Sequence, residues 1–88
     1  KNANLRKYKY MDIRFKIGQR IKQLRTEKNV SQNDLAYFSG LDRSYLAGVE
    51  NGKRNITIVN LEKIITALEI TVKKFYDDTI FEEQKEIK

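Results

Sequence analysis

Cysteine and histidine are both missing from the 88 residues. Their absence excludes disulfides, thiolate and imidazole metal sites and the commonest general base together. Proline is missing too, and glycine occurs four times, so little interrupts helical patterning except the points where a glycine can end a helix. No apolar run approaches the length of a membrane span or a signal-peptide core, and the chain is expected in the cytoplasm. The first ten residues hold no acid and carry +4, residues 11–76 carry +5 and residues 77–88 carry −3, within a net charge of +6. A polyanion would be held by the N-terminal two-thirds, with the acidic end left to solvent or a partner. The length allows one domain, and a chain of this size buries only roughly 60–65% of its unfolded surface, so the core must be small and cooperative.

What is present is apolar periodicity. Residues 1–12 have charge and aromatics without a sustained period and read as a disordered basic arm. Met11 is a candidate start, which makes residues 1–10 an extension; the rival reading is an arm that touches DNA. Ile13, Ile17, Ile21 and Leu24 then fall on one face of a helix that ends near Lys28-Asn29, with Arg14, Arg20 and Gln23 outside. Ser31 and Asp34 form an S-x-x-D start for a second helix, Gln32 to about Phe38. Gly40 makes the turn. Asp42 caps a third helix that Asn51-Gly52 ends, with Leu41 packing on Leu46 as a staple. Thr57 caps a fourth helix bearing Leu61, Ile64, Ile65 and Leu68, and Thr71 a short fifth bearing Val72, Phe75 and Tyr76. The domain therefore spans 13–76, followed by an acidic segment, 77–88. The expectation is an all-α fold.

Between Gln32 and Asn51 the spacing is that of two crossing helices, a helix-turn-helix, whose second helix can enter a DNA major groove. In projection Leu46 and Val49 face inward, while Ser44, Ala47, Gly48 and Asn51 face outward, flanked by Arg43 and Tyr45. A glycine inside a helix costs roughly 1 kcal/mol relative to alanine, so Gly48 implies that something comes close there, either DNA or another helix. At the helix start Arg43 can bind guanine O6 and N7, Ser44 a base or phosphate, and Tyr45 a thymine methyl or phosphate. Gln32 opens the second helix, where unpaired amides suit a phosphate. Lys53, Arg54 and Asn55 follow the third helix and flank the groove, with Arg54 or Asn55 reaching bases or a narrow minor groove. Glu50 points to the inner edge with Arg25 as its counter-charge, a structural pair. No nucleophile, metal-ligand set or phosphate-cradling glycine loop accompanies it, so neither an enzyme nor a cofactor is expected.

These segments resemble the Xre/Cro-type helix-turn-helix family, and most of all the controller proteins of restriction-modification systems. The likeness is carried by IGQRIKQLR at 17–25, SQNDLAYFSGLDRSYLAGVENGKRNITI at 31–58 and NLEKIITALEI at 60–70. The resemblance implies a compact five-helix domain of the lambda-repressor type, acting as a homodimer on a partly palindromic operator. It implies Gln32 as the phosphate contact, Arg43, Ser44 and Tyr45 as readers, Arg54 and Asn55 as loop contacts, and Arg25 with Glu50 as the internal salt bridge. Phe38 departs from the pattern, since relatives often carry a polar or charged residue there.

The apolar side chains Ile70, Val72, Phe75, Tyr76, Ile80 and Phe81 exceed what one short terminal helix can hide, which points independently to a two-fold contact. Ile70, Val72, Phe75 and Tyr76 are its expected centre. The function expected is a sequence-specific, double-stranded DNA-binding regulator with no small-molecule ligand. The alternatives are a phage-type or metabolic repressor of the same fold, or an antitoxin-like module whose C-terminal segment binds a protein.

Overall fold

The computed structural model describes residues 8–9, 12–82 and 84–85, the two short outer segments as backbone only. Five helices follow in order: α1 (Ile13–Glu27), α2 (Gln32–Ser39), α3 (Arg43–Glu50), α4 (Ile58–Ala67) and α5 (Val72–Tyr76). A 3-10 turn at Thr79–Phe81 comes after α5. Each helix start is fixed locally. Asp12 accepts from the Arg14 amide, and Ser31, Asp42, Thr57 and Thr71 each accept from the amide three residues on. Such a cap stabilises a helix by about 1 kcal/mol. Gly40, at φ 72°, ends α2 in the left-handed conformation, and the Leu41 amide returns to the Ala36 carbonyl at 3.0 Å. That turn sets α3 across α2.

Twelve apolar side chains form the core: Ile17, Ile21 and Leu24 of α1; Leu35 and Ala36 of α2; Leu46 and Val49 of α3; Leu61, Ile64, Ile65 and Leu68 in and after α4; and Phe75 of α5. Burying each larger one is worth roughly 1.5–3 kcal/mol against solvent exposure. Contact between α1 and α3 is close enough to require Gly18, since a Cβ there would press into the Val49 carbonyl and lie 2.7 Å from that of Glu50. The periodicity of α1 gave no sign of this glycine's role.

Three expectations change here. Ile13, set on the apolar face of α1, is exposed at the helix start, and Arg20, set outside that face, is buried. Its guanidinium donates to the carbonyls of Phe75 (2.7 Å) and Lys74 (2.8 Å), to Gln23 Oε1 (2.9 Å) and to Asp78 Oδ2 (3.1 Å). It thereby caps carbonyls in the last turn of α5 from another helix, that of Lys74 also accepting from the Asp77 amide. Phe75, expected at a two-fold interface, is wholly inaccessible, with its ring 5.1 Å from Tyr76 and 6.0 Å from Phe81. It belongs to the core because α5 turns that face inward, and a side chain with no exposed surface has nothing to offer a partner. Ile70 is half-buried against the same core. Of the four expected interface residues, Val72 and Tyr76 are the ones left exposed.

A two-residue antiparallel ladder, β1 (Tyr8–Lys9) with β2 (Gln84–Lys85), adds pairing that the sequence did not suggest, in register Tyr8 to Lys85 and Lys9 to Gln84. The rest of the expected arm before residue 12, together with residues 83 and 86–88 of the acidic segment, lies outside the described residues.

Candidate nucleic-acid interface

The N-terminal turn of α3 gathers three of the eight candidate DNA contacts, Arg43, Ser44 and Tyr45. Arg43 and Ser44 are exposed and Tyr45 is half-buried. Asp42 organises this turn by accepting from the Tyr45 amide at 3.3 Å and from the Ser44 hydroxyl at 2.5 Å. The Ser44 hydroxyl, followed by the Tyr45 amide, holds the Asp42 carboxyl below the usual carboxylate range, and the nearby Arg54 charge acts in the same direction. A carboxylate lowered in the folded state contributes stability above its unfolded value, about 3.9, and loses it as pH falls through the lower folded value. Following the Asp42 carboxyl by NMR in acid should therefore give a midpoint below that of a free aspartate, moving upward in Ser44→Ala. Equal midpoints in the two proteins would remove the hydroxyl as the cause.

Tyr45 is fixed from three sides. Its hydroxyl donates to the Asn55 carbonyl at 3.4 Å and accepts from Asn60 Nδ2 at 3.3 Å, while the Arg54 guanidinium carbon lies 5.3 Å from its ring centroid. Its polar end is held by the loop after α3 and by α4. Asn60 carried no sequence signal, because it reaches Tyr45 only once α4 has folded beside α3. Arg54 also answers the question that Gly48 raised. A Cβ on Gly48 would collide with the Cγ of Arg54 and sit 3.3 Å from its Cδ, so the group that comes close there is this chain's own arginine stem.

Lys53, Arg54 and Asn55 are exposed on the loop leaving α3, and Asn51 is exposed at its C-cap. Gln32 stands apart from this group at the start of α2. Its Nε2 donates to Glu50 Oε1 at 3.0 Å. Glu50 in turn receives Arg25 Nε at 2.7 Å on Oε2 and Nη2 at 2.9 Å on Oε1, and Arg25 Nη1 donates to the Val30 carbonyl at 2.9 Å. The bidentate pair is buried, with side-chain exposures of 11% and 2%. It joins α1 to α3 and holds Gln32 as well, leaving that amide one N–H for an outside acceptor.

Two surfaces remain. Phe38, whose surroundings the sequence left open, is exposed and edge-on to Tyr37, with ring centroids 5.6 Å apart. Ile58 (83% exposed), Val59 (61%), Val72 (53%) and Tyr76 (42%) line a shallow apolar groove between α4 and α5. Ile58 and Val59 were not foreseen as part of that face, since they precede the inward-facing positions of α4. Among the described residues there is no group of three acidic or sulfur or imidazole ligands able to hold a metal ion, and no helix long and apolar enough to cross a membrane.

Comparison with known proteins places this geometry. Residues 21–75 match the helix-turn-helix family. The chain is 46% identical over 68 residues to the control protein C.MunI of a Mycoplasma species, covering 76% of this chain and 92% of that protein. Among solved structures it resembles the restriction-modification controller protein C.AhdI from Aeromonas hydrophila, with a TM-score of 0.69, 51% identity, and coverage of 72% of this chain and 96% of that one. It also resembles the controller C.Esp1396I, solved as a tetramer with its natural 35-base-pair operator. There the TM-score is 0.73 with 41% identity, over 77% of this chain and 90% of that one.

Proposed function

This chain belongs to the helix-turn-helix family, among the restriction-modification control proteins, and from that premise we propose that it is a dimeric, sequence-specific regulator of transcription that binds double-stranded DNA. The observation that carries the reading is the head of α3. There Arg43 and Ser44 are exposed on a capped helix start, beside a Tyr45 and an Arg54 that are already held in place. Polar side chains fixed on a rigid helix suit direct readout, because little freedom is lost on binding. Arg43 and Ser44 read base edges, Gln32 takes a phosphate with its remaining N–H, and Lys53, Arg54, Asn55 and Asn51 border the groove. The protein acts in the cytoplasm and performs no catalysis.

The exposed apolar groove of Ile58, Val59, Val72 and Tyr76 supports the two-fold contact, since such an axis brings the same patch of both subunits together and hides it from water. Two recognition helices would then stand about 34 Å apart, one turn of DNA. Selecting bound sequences from random duplexes tests the whole reading. A motif with two-fold symmetry is expected, and a pool with no enrichment would overturn it. On the selected duplex Arg43→Ala should cost roughly 1–3 kcal/mol while random-sequence binding barely changes. Equal losses on both would take Arg43 out of base readout.

A further inference from the structure

We infer that Gly48 is a positioning residue for DNA recognition: it is the notch that lets Arg54 lie along the recognition helix and set its guanidinium over Tyr45 before any duplex arrives. This inference rests on the DNA-binding reading and deepens it.

Three observations converge on it. First, the aliphatic stem of Arg54 fills the space that a side chain at position 48 would occupy, with Cβ, Cγ and Cδ all against the glycine. The colliding atom is Cγ, near the root of the side chain, so rotation about the outer bonds alone does not relieve the clash. Arg54 has to leave. Second, the guanidinium carbon rests 5.3 Å from the Tyr45 ring centroid, within cation-π range. Third, the ring beneath it is itself anchored, its hydroxyl held between the Asn55 carbonyl and the Asn60 amide. A long exposed side chain on a loop ordinarily samples many rotamers and loses them on binding. Here the notch below and the ring alongside remove most of that freedom in the unbound protein, which lowers the entropic cost of docking. The Arg54 charge is then delivered near the Asp42 cap that holds Ser44.

The small outward face of α3 thus has a second use besides clearance for the duplex. A methyl group at position 48 would preserve the helix, since alanine is the better helix former, and would act on DNA binding by unseating Arg54.

The test uses the full chain, the duplex selected from random DNA and fluorescence anisotropy. Gly48→Ala is expected to keep the wild-type melting temperature or raise it, and to weaken binding by about 2- to 12-fold, the span of ordering one rotamer-rich side chain on binding. Arg54→Ala should lose at least as much. The double variant should bind like Arg54→Ala alone, because the glycine acts only through that arginine. Should Gly48→Ala cost as much in the Arg54→Ala background as in the wild type, the methyl would be meeting the duplex directly and the inference fails. It fails equally if Gly48→Ala binds as the wild type does. NMR of the free protein separates this from the DNA reading itself. The Arg54 δ-methylene protons should be shifted upfield by the Tyr45 ring in the wild type and return to random-coil positions in Gly48→Ala. Random-coil positions in the wild type overturn the inference whether or not DNA binds. A wild-type protein that binds no duplex, with the ring shift intact, overturns the DNA reading while leaving the arginine seat standing.

Discussion

Arg25→Ala is expected to lower the unfolding free energy by about 3–5 kcal/mol, because it strands a buried carboxylate. Glu50 has 2% of its side chain exposed and accepts three hydrogen bonds, at 2.7, 2.9 and 3.0 Å, two of them from Arg25. Without the guanidinium, one Gln32 N–H must serve a full negative charge between α1 and α3, and the Val30 carbonyl loses its donor as well. A domain of this length has roughly 5–10 kcal/mol to lose in all, so the variant should give up about a third of its stability or more. Urea unfolding with an unchanged slope reads the difference directly. A loss under about 1 kcal/mol would mean that the carboxylate finds water or a proton instead. Replacing both partners with apolar side chains of matching size should recover much of the loss, since the attraction of a buried pair is largely spent on its own desolvation. Such a double variant would also release Gln32, and any weakening of DNA binding left after stability is restored would report on that amide.

Phe75→Ala should be of similar size, about 3–5 kcal/mol, from lost burial plus the cavity left behind. Its side chain has no exposed surface and packs on Tyr76 and Phe81 beneath α5. A core residue destabilises each protomer alone, so the loss should be the same at low and high protein concentration. An interface residue behaves differently, because its effect is present only where protomers associate and fades on dilution as association is lost. Val72→Ala, on the exposed groove, is the natural contrast. Were the Phe75→Ala loss to change with concentration, the ring would have to be returned to the interface.

The helix boundaries were legible because caps are local. Ser31, Asp42, Thr57 and Thr71 each bond an amide three residues away, and nothing distant is needed to recognise them. Arg25 with Glu50 was legible for a related reason, since helix projection turns Glu50 to the inner edge of α3, toward α1, where Arg25 was the available counter-charge. Arg20 was not. Its position on the wheel lies only about 40° from that of the buried Leu24, yet it was set outside the apolar face, and the carbonyls of Lys74 and Phe75 that accept it come from 54 and 55 residues away. Geometry outweighed residue type because a long side chain can bury its stem while its head finds partners. Phe75 failed the other way: the apolar content of α5 was read correctly, but which of its residues face the core depends on how α5 docks. At the site, Gly48 signalled a close approach without naming what approached, and Arg54, six residues on, could be identified only once the loop had folded back.

The Arg20 contact has a bearing on the order of events. A helix of five residues lies far below the length that holds by itself in water, so α5 exists because α1 is already in place to receive its last carbonyls. Val72 and Tyr76 are therefore arrayed on one face only in a chain whose first helix has docked, and a nascent or partly melted chain offers no such face. The pairing proposed through it would then be gated by folding. Refolding after dilution from denaturant should accordingly show a concentration-independent phase first and a second-order phase after it, an order that would keep newly made chains from joining before they are built.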